Sequence, residues 1–329
     1  MRKPEKGRHF SLENIYFDLF KSFKHKNLLI EYKVSPFVSK GFVNRILICI
    51  WAYFNQGDLN HISGDINYIS IFLKKKKTIN SIQDCYSMKR LNNFQRFIYL
   101  YFWIKIPYFL SEKIIVSSKK IKDEISHYIK DYKKKKIEII NHFISKKFKN
   151  KPKRNLSKVP KILIVGSSEN KNIFNMVSSL KKINCEIIII GKISSKIEYL
   201  LEANCLKYKS YVSLSQKKVV QHYINSDILL YVSNYEGFGL PILEAQSVGR
   251  PVITSNLEPM KFVAGKGALL VNPKNINQIS IAIKKVLTNK KTRLLLIKKG
   301  HENIKRFNKQ EILQKHIKIY KNILKISDQ

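Results

Sequence analysis

A chain of 329 residues is too long for one ordinary hydrophobic core and suits two domains of about 150 residues each. Hydrophobic residues make up 44% of it, enough to bury two cores, which excludes a disordered polycation. A formal charge of +39 brings in nucleic acid, an anionic membrane surface or a phosphorylated lipid as partners, although lysines inflated in every segment fit coding bias as well.

In chain order, Ser11 can cap a helix running through Ile15, Leu19 and Phe23, and Leu28–Val34 reads as a strand. Val43–Tyr53 is a helix or buried segment, and Asn60–Ile62 and Thr78–Ile82 are short strands. Asn92–Leu110 is an aromatic-rich helical stretch, followed by a strand at Lys113–Ser117, a helix at Lys119–Tyr128 and a strand at Lys136–Ile140. Residues 146–160 are polar and basic with two prolines, the chemistry of a linker. Beyond it the strands are Lys161–Val165, Glu186–Ile190, Asp227–Val232, Pro251–Thr254 and Ala268–Val271. Helices fall between them at Asn172–Ile183, Lys196–Ala203, Lys217–Asn225 and Leu240–Val248, with later ones at Ile276–Leu287, Lys291–Arg306 and Gln310–Ile326. Alternation of strand and helix predicts an α/β protein with parallel sheets and right-handed crossovers.

The four cysteines are scattered without paired spacing or clustered histidines, which argues against a zinc site and a disulfide framework and fits a reducing cytosol. No apolar core of a secretory signal is expected in MRKPEKGRHF. The apolar stretch Ile46–Phe54 is too short to span a bilayer, and Phe97–Leu110 is interrupted by Lys105 and Pro107. A soluble or peripheral cytoplasmic protein is expected. The aromatics beside lysines in Phe97–Leu110 suit either a bilayer interface or a helix packed in the N-terminal domain.

The run SDILLYVSNYEGFGLPILEAQSVGRPVITSN, Ser226 to Asn256, carries the most information. It reads as a buried strand, a glycine turn bearing Glu236, a helix bearing Glu244 and a second buried strand. Gly237 and Gly239 let the backbone turn and approach a ligand closely, and Pro241 suits a first helical turn. The orphan amides of that helix form a ready phosphate site at the carboxyl end of a parallel sheet.

The string EGFGLPILEA, with its two glutamates eight apart, resembles the E-x7-E signature of the glycosyltransferase group 1 family. PKILIVGSSENKN and GALLVNP extend the resemblance over about residues 161–307, and RKPEKGRHFSLE, HISGDINYIS, TINSIQDC and IIVSSKKIKDEI carry it more loosely through the first half. The resemblance implies the GT-B architecture, two Rossmann-like parallel-sheet domains facing across a cleft. The divisions are an acceptor-side domain over 1–150, a linker at 151–160, a nucleotide-sugar domain over 161–307 and a C-terminal helix over 308–329, set to pack back on the first domain.

The same resemblance implies a retaining transfer from a nucleotide diphosphate sugar to a saccharide or lipid-linked acceptor, in bacterial surface polysaccharide assembly. Glu244 would hold the ribose hydroxyls, and Glu236 would stand by the donor sugar and steady positive charge at its reacting carbon. The backbone of Gly237, Phe238, Gly239 and Leu240 would meet sugar and phosphate. Lys171, after the strand ending at Gly166, matches the family's diphosphate-binding lysine, a point charge that needs no metal or other cofactor. Ser167 and Ser168 stand where many members carry an arginine. On the acceptor or sugar side Gly7 is the only good candidate for the glycine loop, with a first strand very short or absent. Gln83 and Asp84 fill the place of a frequent His-Asp pair, and glutamine cannot take a proton. His61 and Asp65 match a further pattern, although a lone histidine beside a strand more often serves structure. Phe262 replaces a common glutamate. The missing arginine, Gln83 and the short first strand count for a second reading, a non-catalytic subunit of the same fold, and the intact Glu236 and Glu244 count against it. The third, a nucleic-acid-binding protein, rests on charge alone, and no basic stripe or binding module supports it.

Overall fold

The computed structural model describes residues 1, 3, 11–23, 28–129, 132, 133, 136–153 and 155–326. The chain divides into two compact units, Met1–Phe143 with Lys309–Gln329, and Ile144–Asn308.

The first unit is built on a parallel sheet of β1 (Asn60–Ile62), β2 (Thr78–Ile82), β3 (Lys113–Val116) and β4 (Ile137–Ile139), ordered as in the sequence. Its helices are α1 (Ser11–Phe20), α2 (Phe42–Phe54), α3 (Ser87–Arg90), α4 (Asn93–Tyr99), α5 (Ile106–Leu110) and α6 (Lys119–Tyr128). A π-helical stretch, Leu100–Lys105, joins α4 to α5, and a 3-10 turn, Asn67–Phe72, lies between β1 and β2. All of β2 is buried, as a strand covered on both faces must be. The C-terminal helix Lys309–Leu324 belongs to this unit and buries Ile312, His316, Ile317 and Tyr320.

The second unit carries six parallel strands: β5 (Lys161–Val165), β6 (Glu186–Ile190), β7 (Lys207–Tyr211), β8 (Ile228–Tyr231), β9 (Val252–Ser255) and β10 (Ala268–Val271). Their order is β10-β9-β8-β5-β6-β7. Helices α7 (Ile173–Ser178), α8 (Ser195–Ala203), α9 (Gln216–Asn225), α10 (Leu240–Val248), α11 (Met260–Ala264), α12 (Ile276–Thr288) and α13 (Lys290–Ile304) connect and cover them. The chain leaves β5 for β6 on one side, then returns to lay β8 on the other. The carboxyl ends of β5 and β8 are therefore the topological switch point, where loops diverge and leave a crevice.

Two expectations are corrected, and two further elements are added. Residues 28–34 form no strand beyond a single bridge at Leu28; they have extended propensity without a ladder among the described residues to join, and Leu29 is 92% exposed. The helix expected over 172–183 ends at Ser178, where the Ser179 hydroxyl donates to the Met176 carbonyl and the chain turns. β7 was not foreseen, being a polar edge strand without an apolar run. α11 was likewise missed, its five residues offering too short a period to read.

Candidate functional site

The crevice at the switch point is built from two loops. The first, residues 166–172, follows β5. Gly166 takes φ +88°, and a Cβ there would stand 2.8 Å from Lys171 Cε, so glycine is required for the lysine stem to lie across the turn. The second, residues 232–239, follows β8 and leads into α10.

Asparagines tie the two loops together. Asn170 accepts the Asn234 amide at 2.8 Å through its carbonyl, and its side-chain nitrogen donates to the Tyr235 carbonyl at 2.9 Å. Asn172 adopts the left-handed conformation at φ 58°, which asparagine tolerates better than most residues. Its buried side-chain nitrogen donates to the carbonyls of Val232 (3.0 Å) and Pro273 (2.8 Å).

Lys171 is thereby aimed at the second loop. Its Nζ lies 2.7 and 2.9 Å from the two carboxylate oxygens of Glu236 and 3.1 Å from the Tyr231 hydroxyl. Glu236 is buried, so this is a shielded charge pair rather than a surface one. Burial first, and then the Glu236 charge, push the Tyr231 phenol well above its usual pKa, keeping it a neutral hydrogen-bonding group.

Gly239 caps α10 in the left-handed region at φ 112°, with Pro241 in the first turn. Pro241 has no amide hydrogen, and the Ile242 amide donates to the Gly239 carbonyl at 3.1 Å. Phe238 sends its ring into the core against Phe307, at 5.8 Å between centroids, while Gly237 is half-buried and Leu240 buried. Glu244 follows one turn into α10. Its Oε2 accepts a 2.6 Å hydrogen bond from Tyr223 of α9. Burial raises the Glu244 carboxyl to about 7, a rise that the Tyr223 hydrogen bond reduces but does not cancel. Phe262 lies in a ring cluster with Phe307, and the Arg306 guanidinium covers it at 4.6 Å.

Six of the residues singled out in the sequence thus flank one switch point: Gly166, Lys171, Glu236, Gly237, Gly239 and Glu244. The reading missed Asn170, Asn172, Tyr223 and Tyr231. The asparagines of GSSENKN were the available signal, since Asn is the usual non-glycine choice for a left-handed turn.

The first unit holds the remaining candidates. Gly7 lies outside the described residues. Gln83 donates to the Tyr16 hydroxyl at 2.8 Å, and its buried Oε1 has no hydrogen-bond partner among the described residues. Asp84 accepts the Tyr86 amide at 2.9 Å, an Asx turn after β2. His61 uses both ring nitrogens, one against Tyr320 Oη at 2.6 Å and the other against Ser81 Oγ at 2.7 Å. Burial, aided by the Met1 ammonium, lowers its pKa to about 3. It ties β1 to β2 and the C-terminal helix as a neutral ring. A cavity of about 870 Å³ runs along edge strand β1, lined by Trp51, Asn60, His61 and Tyr320 and not by Gln83 or Asp84.

Residues 145–303 match the family model described as glycosyl transferases group 1. Over 99 residues the chain is 35% identical to O-antigen chain mannosyltransferase B of Escherichia coli, covering 30% of this chain and 26% of that protein. Over 232 residues it is 27% identical to O-antigen chain mannosyltransferase RfbU of Salmonella typhimurium, covering 66% of this chain and 62% of the relative. The chain therefore spans less than two thirds of the length of these curated relatives. Among solved structures, sucrose-phosphate synthase from Thermosynechococcus elongatus superposes with a TM-score of 0.76 at 18% identity, covering 92% of this chain and 87% of that one. Anabaena HepE, solved in complex with UDP and glucose, also gives 0.76 at 13% identity, covering 97% and 98%. The fold is α/β of the GT-B class, with two parallel-sheet units.

Proposed function

We propose that this chain, whose residues 145–303 match the group 1 glycosyl transferases, moves a sugar from a nucleotide diphosphate sugar onto a saccharide or lipid-linked acceptor. The named relatives act on O-antigen chains, which supports a setting in bacterial surface polysaccharide assembly. The observation that carries the reading is the Lys171–Glu236 pair at 2.7 Å, held at the switch point of the six-stranded sheet.

In this proposal the donor diphosphate competes for Lys171. A phosphate dianion beside Nζ draws the lysine from Glu236 and is stabilised as it departs, without a metal. Glu236, released from its partner, then faces the sugar carbon and steadies oxocarbenium character on the side that retention requires. The α10 amides meet the phosphate, and Glu244 accepts the ribose hydroxyls through the oxygen that Tyr223 leaves open. Gln83 cannot serve as a base, so the acceptor proton passes to the departing phosphate.

Release of nucleoside diphosphate from UDP-, GDP-, ADP- and dTDP-sugars, in the presence of polyprenyl-linked saccharide, tests this. One donor should turn over, and Glu236→Gln and Lys171→Met should each slow it by about 100-fold or more. A wild-type chain that binds a donor and transfers nothing would instead be the non-catalytic form of the fold.

A further inference from the structure

We propose that the helical face of the first unit formed by α2 and the α4–α5 stretch is a docking surface for an anionic lipid bilayer. Both α2 and the continuous helical stretch 93–110 are apolar on two sides. α2 buries Ile48, Cys49 and Ala52 beneath it, which accounts for its place in the unit. On its other side Val43, Ile46, Ile50 and Phe54 recur at helical spacing and are all exposed, Phe54 at 78%. The α4–α5 stretch repeats the pattern. Trp103, Ile104 and Tyr108 face the core, while Phe94, Phe97 and Tyr101, three and four residues apart, face outward, Phe94 at 74%. An amphipathic helix needs one apolar stripe to fold. Among the described residues the second stripe on each is left exposed.

The 3-10 turn Asn67–Phe72 joins the two sets of helices, because α2, the π-helical stretch and α5 all pack on it. That turn adds exposed Ile71 and Phe72, and Lys74–Lys77 follow directly, every one exposed. Cations outnumber carboxylates around these elements: between residues 32 and 111 the acidic side chains are Asp58, Asp65 and Asp84, while Arg96 and Lys105 belong to the α4–α5 stretch and Lys74–Lys77 follow the turn. On the outward side Lys105 covers the ring of exposed Tyr101 at 4.6 Å, so a cation stands beside an aromatic there.

This pattern selects among occupants. A second copy would set one basic surface against another, on chains that each carry +39. Nucleic acid would meet the lysines but leave two aromatic stripes facing phosphate and water. A bilayer with anionic headgroups satisfies both features, taking the aromatics at the acyl boundary and the lysines at the phosphates. Among the described residues no helix is long and apolar enough to cross a membrane, so the mode is docking on the surface.

The inference stands apart from the transfer reaction, since binding is read without a donor. Flotation of the full chain with phosphatidylcholine vesicles, with and without roughly one third phosphatidylglycerol, tests it directly. The chain should float with the anionic vesicles only and be released by about 0.5 M salt. Val43→Ser with Ile50→Ser, and separately Phe94→Ser with Phe97→Ser, should each weaken flotation by about tenfold or more, with unchanged melting and unchanged nucleotide binding. Replacing Lys74, Lys75 and Lys76 by Gln should erase the preference for anionic lipid. Equal flotation of wild type and the serine variants would overturn the proposal. So would a dimer in light scattering that the serine substitutions dissolve, or retention on DNA that they abolish.

Discussion

Glu244 occupies a site that works against its charge. A carboxyl raised from 4.5 to about 7 holds a proton that the unfolded chain has already lost, so folding is progressively weakened as pH rises through this window. Above about 7 the penalty is complete, at most on the order of 3 kcal/mol for a group that retains some solvent contact. Glu244→Gln removes it. The variant should melt about 5 °C or more above wild type at pH 8 and close to it at pH 4.5, by calorimetry. It should also lose donor affinity at pH 8, because a neutral amide is a weaker acceptor for two hydroxyls. Equal melting at both pH values would mean that the site does not resist the charge. Gly166 gives a second test. Gly166→Ala forces a side chain into the left-handed region and pushes Lys171 away from Glu236. The expected cost is about 1–3 kcal/mol in denaturant unfolding, with donor affinity reduced in parallel. At this scale Lys171, Glu236 and Glu244 were legible as single residues. Their partners were not, because Lys171 and Glu236 stand 65 residues apart and only the sheet brings them together.

Among the elements, legibility followed burial. β5, β6 and β8 are continuous apolar runs, and α10 is bracketed by Gly239 and Gly249, so chain-local chemistry alone marks them. Where an element depends on a neighbour, the sequence misleads. Residues 28–34 have strand propensity without a ladder to join, and β7 joins a ladder with little propensity. The short loop from β5 to α7 belongs to the second kind, being ordered by Asn172 through carbonyls 60 and 101 residues away. Asn172→Ala removes both hydrogen bonds and leaves a left-handed backbone without its usual residue. Chemical denaturation should show a loss of about 2–4 kcal/mol. A loss under about 0.5 kcal/mol would mean that the loop is held by something else.

For the whole molecule the dominant quantity is charge. With +39 over 329 residues, repulsion opposes the compact state wherever lysines are near one another. Raising the salt from about 0.05 to 0.5 M should therefore raise the melting temperature by several degrees. An unchanged midpoint would show that the lysines are already far enough apart to be screened. Composition announced this charge and the resemblance announced the GT-B fold, while the exposed apolar stripes became visible only when α2 and the stretch from Leu100 to Leu110 showed which side they bury. The central claim is that the β5–β8 switch point grips a nucleotide diphosphate through Lys171 and Glu244. Thermal unfolding with UDP, GDP, ADP and dTDP tests it most directly. One of them, at about a hundredfold above its dissociation constant, should stabilise the wild type by about 2.7 kcal/mol, and Lys171→Met and Glu244→Gln should lose most of that gain. Stabilisation by none of the four, or by the same amount in all three proteins, would contradict the account.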